Sequence, residues 1–102
     1  MASTAQKCKE VLLSHYGDRL AGVLLFGSSA RGDGSPESEL DLLVLLQTPL
    51  DYFGELRSLS DLLYPVQLEE ERLISAKPAA VDAFEREEIQ LYRNANREGL
   101  ML

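Results

Sequence analysis

The sequence contains little of what several kinds of structure and site require. Among its 102 residues there is one cysteine, Cys8, and one histidine, His15. A single cysteine excludes an internal disulfide and fits a reducing, cytosolic compartment. Both residues fall on the apolar face of a predicted N-terminal helix, together with Val11 and Leu12. We therefore interpret Cys8 as a packed core residue, and His15 as packed or half-exposed, rather than as catalytic groups.

Long apolar runs are also missing. No apolar stretch approaches the roughly 18 residues that mark a membrane-spanning helix. The first seven residues, Met-Ala-Ser-Thr-Ala-Gln-Lys, lack the apolar stretch of a secretory signal peptide. We therefore expect no membrane association and a cytoplasmic location.

Basic residues are few relative to acidic ones. The chain has 10 Lys and Arg against 17 Asp and Glu, which gives a formal net charge of −7. Sequence-independent nucleic-acid binding depends on Lys and Arg contacts to phosphates, so a nucleic-acid partner is not expected. The balance fits a partner with a basic surface or a site that gathers metal cations. The length predicts a single domain over residues 1–102.

A glycine-rich turn between two apolar runs dominates what the sequence does contain. The run at 23–26 ends at Gly27, Gly32 and Gly34 follow in the turn, and a second apolar run occupies 42–46. Short apolar runs of this kind are typical of buried strands. Glycine permits positive φ and a close approach of backbone to ligand. The segment predicts strand, turn and strand, with a ligand at the turn.

Two carboxylates stand at the start of the second run. Side chains alternate faces along a strand, so Glu39 and Asp41 are expected on the same face, directed at the turn. Mg²⁺ commonly binds one or two carboxylates together with substrate phosphates. Two adjacent carboxylates can also hold a pair of metal ions. The pattern predicts a site for a divalent cation and a polyphosphate.

Other glycine-loop motifs do not fit the turn. A P-loop requires G-x-x-x-x-G-K-[ST], and no lysine follows these glycines. The dinucleotide fingerprint G-x-G-x-x-G lacks its last glycine after Gly32 and Gly34. The nucleophile elbow G-x-S-x-G is absent after Gly27.

The two motifs together resemble a known family. Gly27-Ser28-Ser29-Ala30-Arg31-Gly32, followed by Ser38-Glu39-Leu40-Asp41-Leu42, is similar to the signature of the minimal nucleotidyltransferases. These are single-domain members of the DNA polymerase β superfamily, with the usual pattern G-S-x-A-R-G, a spacer, and S-D-hydrophobic-D. The resemblance implies an α/β class: a small mixed β-sheet with helices packed on it, in the polymerase-β-like fold.

The resemblance also implies roles for individual residues. Glu39 and Asp41 would be catalytic and would bind Mg²⁺ or Mn²⁺. The residues implied to bind ATP or another NTP are Gly27, Ser28, Arg31, Gly32 and Ser38. Arg31 has an equally good structural interpretation, an ion pair that braces the loop against Asp33 or Glu37. Glu39 departs from the family's aspartate, and its extra methylene moves the carboxylate outward.

The implied reaction is transfer of a nucleoside monophosphate, AMP from ATP, to an acceptor hydroxyl. Minimal members of the family often act as antitoxins paired with a helical HEPN-type ribonuclease toxin, so the acceptor could be a tyrosine of such a partner. The alternative is a catalytically weak or inactive protein that binds its partner as an antitoxin or scaffold. A homo-oligomer stays open, because the apolar end Leu100-Met101-Leu102 must pack against the sheet or a second subunit.

The remaining elements are predicted from periodicity and caps. We expect a helix over 3–16, strands at about 21–27 and 39–47, and a helix from an N-cap at Thr48 to about Leu63. Phe53 is placed on the buried stripe of that second helix. Helical sequence resumes from Pro78, with a break near Glu88 and a C-terminal cap at Gly99.

A third strand is predicted over 64–69 from its alternation of apolar and polar residues. The superfamily usually takes a third carboxylate from such a strand, and Gln67 occupies the aligned position here. Glu69, on the same predicted face, would then be the third catalytic carboxylate. The other interpretation of Glu69 is solvated surface charge.

Overall fold

A computed structural model describes residues 3–27 and 39–102 of the chain. The elements in chain order are α1 (Thr4–Tyr16), a 3-10 turn (Gly17–Arg19), β1 (Leu20–Phe26), β2 (Leu40–Leu46), α2 (Tyr52–Leu68), β3 (Ile74–Ala80), α3 (Val81–Glu85), α4 (Gln90–Glu98) and β4 (Leu100–Met101). The α/β class is confirmed. None of the helices in these two ranges is both long and apolar enough to span a bilayer.

The four strands form one mixed sheet in the order β3-β2-β1-β4. Strand β2 pairs antiparallel with β1 and parallel with β3, while β4 adds to the far side of β1 as an antiparallel strand. Strand β2 is therefore hydrogen-bonded on both sides. The small mixed sheet predicted from the resemblance is confirmed.

Helix α1 forms as its sequence predicts. The Ser3 side chain accepts a hydrogen bond from the backbone N–H of Gln6, and Gly17 ends the helix with φ 55°. Cys8 and Leu12 are fully buried, whereas His15 is exposed. Burial, with a smaller effect of Glu70, raises the pKa of the Cys8 thiol to about 11. A thiol held protonated at neutral pH is a core residue and not a nucleophile.

Apolar side chains cover both faces of β2, which explains its continuous apolar sequence. Leu42, Val44 and Leu46 belong to the core between the sheet and helices α1 and α2. Leu43 and Leu45 belong to a smaller core on the opposite face, with Phe84 of α3 and Ala95 of α4. Each fully buried leucine contributes roughly 1.5–3 kcal/mol relative to exposure. The central strand is thus the most stabilised part of the sheet.

Helix α2 is longer than predicted, and the predicted strand over 64–69 is wrong. The helix begins after Asp51, which accepts from Gly54 N, and continues through Pro65 to Leu68. Leu59, Leu63 and Val66 are its buried residues, spaced at the three- to four-residue interval of a helix. Burial of these residues in the core stabilises the helix more than the apolar–polar alternation of 64–69 and Pro65 disfavour it. Phe53, expected in the buried stripe, is 73% exposed.

Gln67 has a structural task at the end of α2. Its Nε2 donates to the carbonyl of Arg72 at 2.8 Å, and its Oε1 accepts from the N–H of Ile74 at 2.7 Å. The side chain therefore connects the end of α2 to the first residue of β3. The interpretation of Gln67 as a site residue on a strand is wrong, because the strand begins seven residues later.

Strand β3 was not predicted from the sequence. It lies at one edge of the sheet, where Pro78 is tolerated, and Pro78 is buried under the neighbouring elements. The chain then forms two short helices, with the expected break between Glu85 and Gln90 and the expected cap at Gly99. Leu100 and Met101 pair with β1, and the N–H of Leu102 donates to Val23 O. The C-terminal end therefore joins the sheet as an edge strand, while the side chains of Leu100 and Met101 stay exposed at 53% and 58%.

Replacing Gln67 tests this connection. Gln67→Ala removes both hydrogen bonds and leaves two backbone groups of the α2–β3 turn without them. We expect the free energy of unfolding to fall by about 1–2 kcal/mol, measured by urea titration. Gln47→Ala is the matched control, because Gln47 is exposed and the variant keeps the backbone N–H that donates to the carbonyl of Arg19. Equal stability of the two variants would contradict the role.

Candidate functional site

Asp41 is the centre of the candidate site. It is the second residue of β2, opposite Phe26 in the antiparallel ladder and opposite Ser75 in the parallel ladder. Alternation along β2 puts its side chain on the face of Leu43 and Leu45. The carboxylate therefore stands where the smaller core ends, on a strand braced from both sides.

Gly27 lies directly against this carboxylate. It follows β1 with φ 77°, and a Cβ placed on it would lie 2.6 Å from Oδ2 of Asp41. Any other residue would meet both a disfavoured backbone conformation and this contact. The turn predicted from the glycine pattern is thus in contact with the predicted metal-binding carboxylate.

Glu39 lies near Asp41, at the entrance of β2. Desolvation by burial raises the pKa of the Asp41 carboxyl, the charge of Glu39 raises it further, and Lys77 lowers it. Glu39 itself is exposed. The structure therefore brings together the two predicted carboxylates.

The donor set suits a hard divalent cation. Two carboxylates in close proximity, one of them partly desolvated, repel each other, and a cation between them would offset that cost. Within residues 3–27 and 39–102, His, Cys, Asp and Glu form no group of three or more that could hold a metal ion. A cation bound by Glu39 and Asp41 would take its other ligands from water, substrate phosphates or residues 28–38.

Four of the predicted nucleotide-binding residues lie outside the described residues: Ser28, Arg31, Gly32 and Ser38. Their roles remain predictions from the motif. Glu69 is described, and it is the exposed cap residue at the C-terminus of α2. It does not lie on a strand beside Asp41, so the geometry from which its catalytic role was predicted is absent.

The residues beside Asp41 on the neighbouring strand are Ser75 and Lys77 of β3. Sequence reasoning missed both. A signal was present: Ser75, Lys77 and Ala79 alternate with Ile74, Ala76 and Pro78, and the second set is the more apolar one. The strand was not predicted because it contains Pro78 and because its alternation extends over only a few residues.

A carboxylate pair next to a glycine turn, on the central strand of a small mixed sheet, defines the nucleotidyltransferase class of site. Comparison with known families agrees: the family described as the nucleotidyltransferase domain matches residues 5–99. The chain belongs to this family, and the resemblance drawn from the two motifs is confirmed.

Two relatives extend the comparison. A protein of Methanocaldococcus jannaschii, whose name provisionally assigns it as a protein adenylyltransferase, is 33% identical over 92 residues, or 89% of this chain and 86% of the relative. Among solved structures, a chain of the toxin–antitoxin complex MntA–HpeT, in a tyrosine-to-alanine mutant, superposes with a TM-score of 0.64. That match covers 99% of this chain and 72% of the other at 17% identity, and it supports the fold.

Asp41→Asn should separate stability from function. Because the folded state raises the pKa of Asp41, the native protein holds this proton better than the unfolded chain does. Ionised Asp41 therefore costs stability at neutral pH, and that cost disappears as pH falls through its pKa. We expect Asp41→Asn to unfold at the same or a higher temperature at pH 7, with the difference shrinking on acidification.

Differential scanning calorimetry at several pH values measures this effect. Asp61→Asn, an exposed change on α2, controls for the loss of one negative charge. A lower unfolding temperature for Asp41→Asn than for Asp61→Asn at pH 7 would show that the Asp41 carboxylate stabilises the fold instead.

Proposed function

We propose that this nucleotidyltransferase transfers AMP from ATP to a hydroxyl group of a partner protein, with Mg²⁺ or Mn²⁺ at the carboxylate pair. The observation that carries the proposal is the contact of Asp41 with the Gly27 turn, with Glu39 beside it. This arrangement suits a cation bound between carboxylates and phosphates, next to a backbone that phosphate oxygens can approach closely.

Each residue has a distinct part. Asp41 and Glu39 hold the cation, which when bound supplies positive charge to the phosphates of the nucleotide. Gly27 keeps the turn free of a side chain so that the triphosphate can approach the backbone. Ser28, Arg31, Gly32 and Ser38 are proposed to contact the nucleotide, on the evidence of the motif alone.

The reaction is an in-line displacement. The acceptor oxygen forms a bond to the α-phosphorus, the bond from that phosphorus to the bridging oxygen of the β-phosphate breaks, and pyrophosphate leaves with the bonding electrons. The acceptor's proton passes to solvent. Catalysis depends mainly on positioning and on neutralisation of phosphate charge.

A protein acceptor is supported by the relatives and by acceptor chemistry. One relative is named a protein adenylyltransferase, and the solved neighbour comes from a toxin–antitoxin complex. We propose an analogous cytoplasmic pairing with a helical HEPN-type toxin and a tyrosine as acceptor. A phenol, with a pKa of about 10, gives up its proton more readily than an aliphatic alcohol does, so it needs less help from a base.

A surface on the other face of the sheet also suits a protein partner. A groove of about 380 Å³ runs between α2 and β3, on the face of the sheet opposite to the Asp41 side chain, and Ser75 is among the residues that line it. Tyr64 and Leu73 line it, at 60% and 56% exposure. Exposed apolar surface of this kind commonly marks protein contacts, and the net charge of −7 favours a basic partner.

A second function is favoured by one observation. Lys77, a cation, lies beside Asp41 on β3, the strand next to β2. A protonated lysine cannot accept the acceptor's proton, and Glu39 stands in the position of the family's aspartate. Both features favour a protein that binds its partner and transfers nucleotide slowly or not at all. Partner binding and transfer can be measured separately.

The deciding experiment combines the protein, labelled ATP, Mg²⁺ or Mn²⁺ and the proposed partner, a helical HEPN-type protein. We expect label on the partner, and a loss of at least about 100-fold in Asp41→Asn, because the cation that neutralises the phosphates loses a charged ligand. Glu69→Gln is the control, and we expect it to retain transfer because Glu69 caps α2. Tight partner binding without label, unchanged in Asp41→Asn, would establish the binding function instead.

A second series addresses Glu39. Glu39→Asp restores the family's shorter carboxylate and should keep or raise the rate of transfer, whereas Glu39→Ala should abolish it. The readout is initial rate of labelling at saturating nucleotide, with the unfolding temperature of each variant measured in parallel. Equal rates for all three proteins would remove Glu39 from the site.

A further inference from the structure

We propose that Lys77 binds the polyphosphate of the nucleotide, so that β3 contributes a cation to a site whose carboxylates come from β2. The inference rests on the proposed function, because it needs a nucleotide at the Gly27 turn. It adds a residue that the sequence motif does not contain and that lies 50 positions after Gly27 along the chain.

The register of the sheet places Lys77 on the face of the site. In the parallel ladder, Asp41 pairs with Ser75 and Leu43 pairs with Lys77. Paired residues of neighbouring strands project to the same face, so Asp41 and Lys77 are diagonal neighbours on one surface. Diagonal neighbours lie roughly 7–8 Å apart, within reach of a lysine side chain.

Packing limits where the ammonium can go. On the same face, Leu43 and Ala79 are fully buried beneath α3, whose Phe84 packs on them. Lys77 is exposed. A long side chain next to a buried pair places its charge at the open end of the face, and Asp41 stands at that end. The influence of Lys77 on Asp41 agrees with this direction.

The positive charge of Lys77 acts on the Asp41 carboxyl, and the Lys77 side chain is exposed. An exposed lysine beside a carboxylate pair is available to a substrate anion. A triphosphate carries more negative charge than one divalent cation neutralises, so an ammonium at this position would neutralise part of the remaining charge.

The inference predicts that Lys77 contributes to nucleotide binding even when no metal ion is bound at the carboxylates. An ammonium attracts phosphates whether or not a metal ion is bound, and it attracts a triphosphate more than a monophosphate. Loss of Lys77 should therefore weaken ATP binding in EDTA as well as in Mg²⁺, while AMP binding changes little.

The experiment measures ATP and AMP binding to the purified protein by isothermal titration calorimetry, in EDTA and in Mg²⁺. We expect Lys77→Gln to weaken ATP binding about five-fold, and Lys77→Arg to retain it because the positive charge remains. Lys7→Gln, an exposed charge change on α1 across the sheet, should have the wild-type affinity. ATP affinity of Lys77→Gln equal to that of wild type, in every condition where wild type binds, would overturn the inference.

A reversed charge gives an independent readout without nucleotide. Lys77→Glu adds a carboxylate to the face of Glu39 and Asp41, so Mn²⁺ binding measured by electron paramagnetic resonance should tighten by about five-fold or more. Lys7→Glu should leave it unchanged. Identical Mn²⁺ affinities in Lys77→Glu and Lys7→Glu would show that Lys77 does not face the carboxylates. Wild-type protein that binds no nucleotide in either condition would overturn the proposed function together with this inference.

Discussion

The structure depends on the pairing of β2 with strands on both of its sides. Leu42 to Leu46 are buried, and ladders to β1 and β3 fix the register of the strand. A shift of one residue would move the apolar side chains of one core onto the face of the other and would turn Asp41 away from Gly27. The same pairings that hold the core therefore fix the candidate site. Since Asp41 is only one residue inside the strand, its backbone is rigid while its carboxylate reaches the end of the sheet.

The candidate site carries an electrostatic cost that a ligand would relieve. Burial and Glu39 both disfavour the ionised form of Asp41, and Lys77 compensates only in part. A fold selected for stability alone would place an amide or an apolar residue there. Carboxylates whose pKa is raised by burial and by a like charge are common at functional sites. The direction of the shift agrees with a cation at this position, as the sequence motif implies.

The sequence predicted the two central strands, α1 and the C-terminal helices because each depends on local patterns: apolar runs, caps and glycine. It failed over 64–80, where local and tertiary preferences disagree. The alternation of 64–69 and Pro65 favours a strand, but burial of Val66 with Leu59 and Leu63 extends the helix. Ile74 to Ala80 is an edge strand with a proline, and its pairing with β2 is a long-range contact that periodicity does not reveal. The carboxylate pair was predictable because both members belong to one strand and one motif.

The wrong prediction of a strand over 64–69 affects the expected chemistry of the site more than the expected fold. If 64–69 were the third strand, an amide and a carboxylate would stand beside Asp41, and a catalytic base would come from that strand. The observed register puts Ser75 and Lys77 there instead. A hydroxyl and an ammonium can bind phosphate, but a protonated lysine does not accept a proton from the acceptor. A transferase built this way would depend on an acceptor that ionises easily and on precise placement by the partner. Catalytic competence and partner binding would then be coupled through β3, since one face of this strand carries Ser75 and Lys77 beside Asp41 and its other face borders the apolar groove along α2.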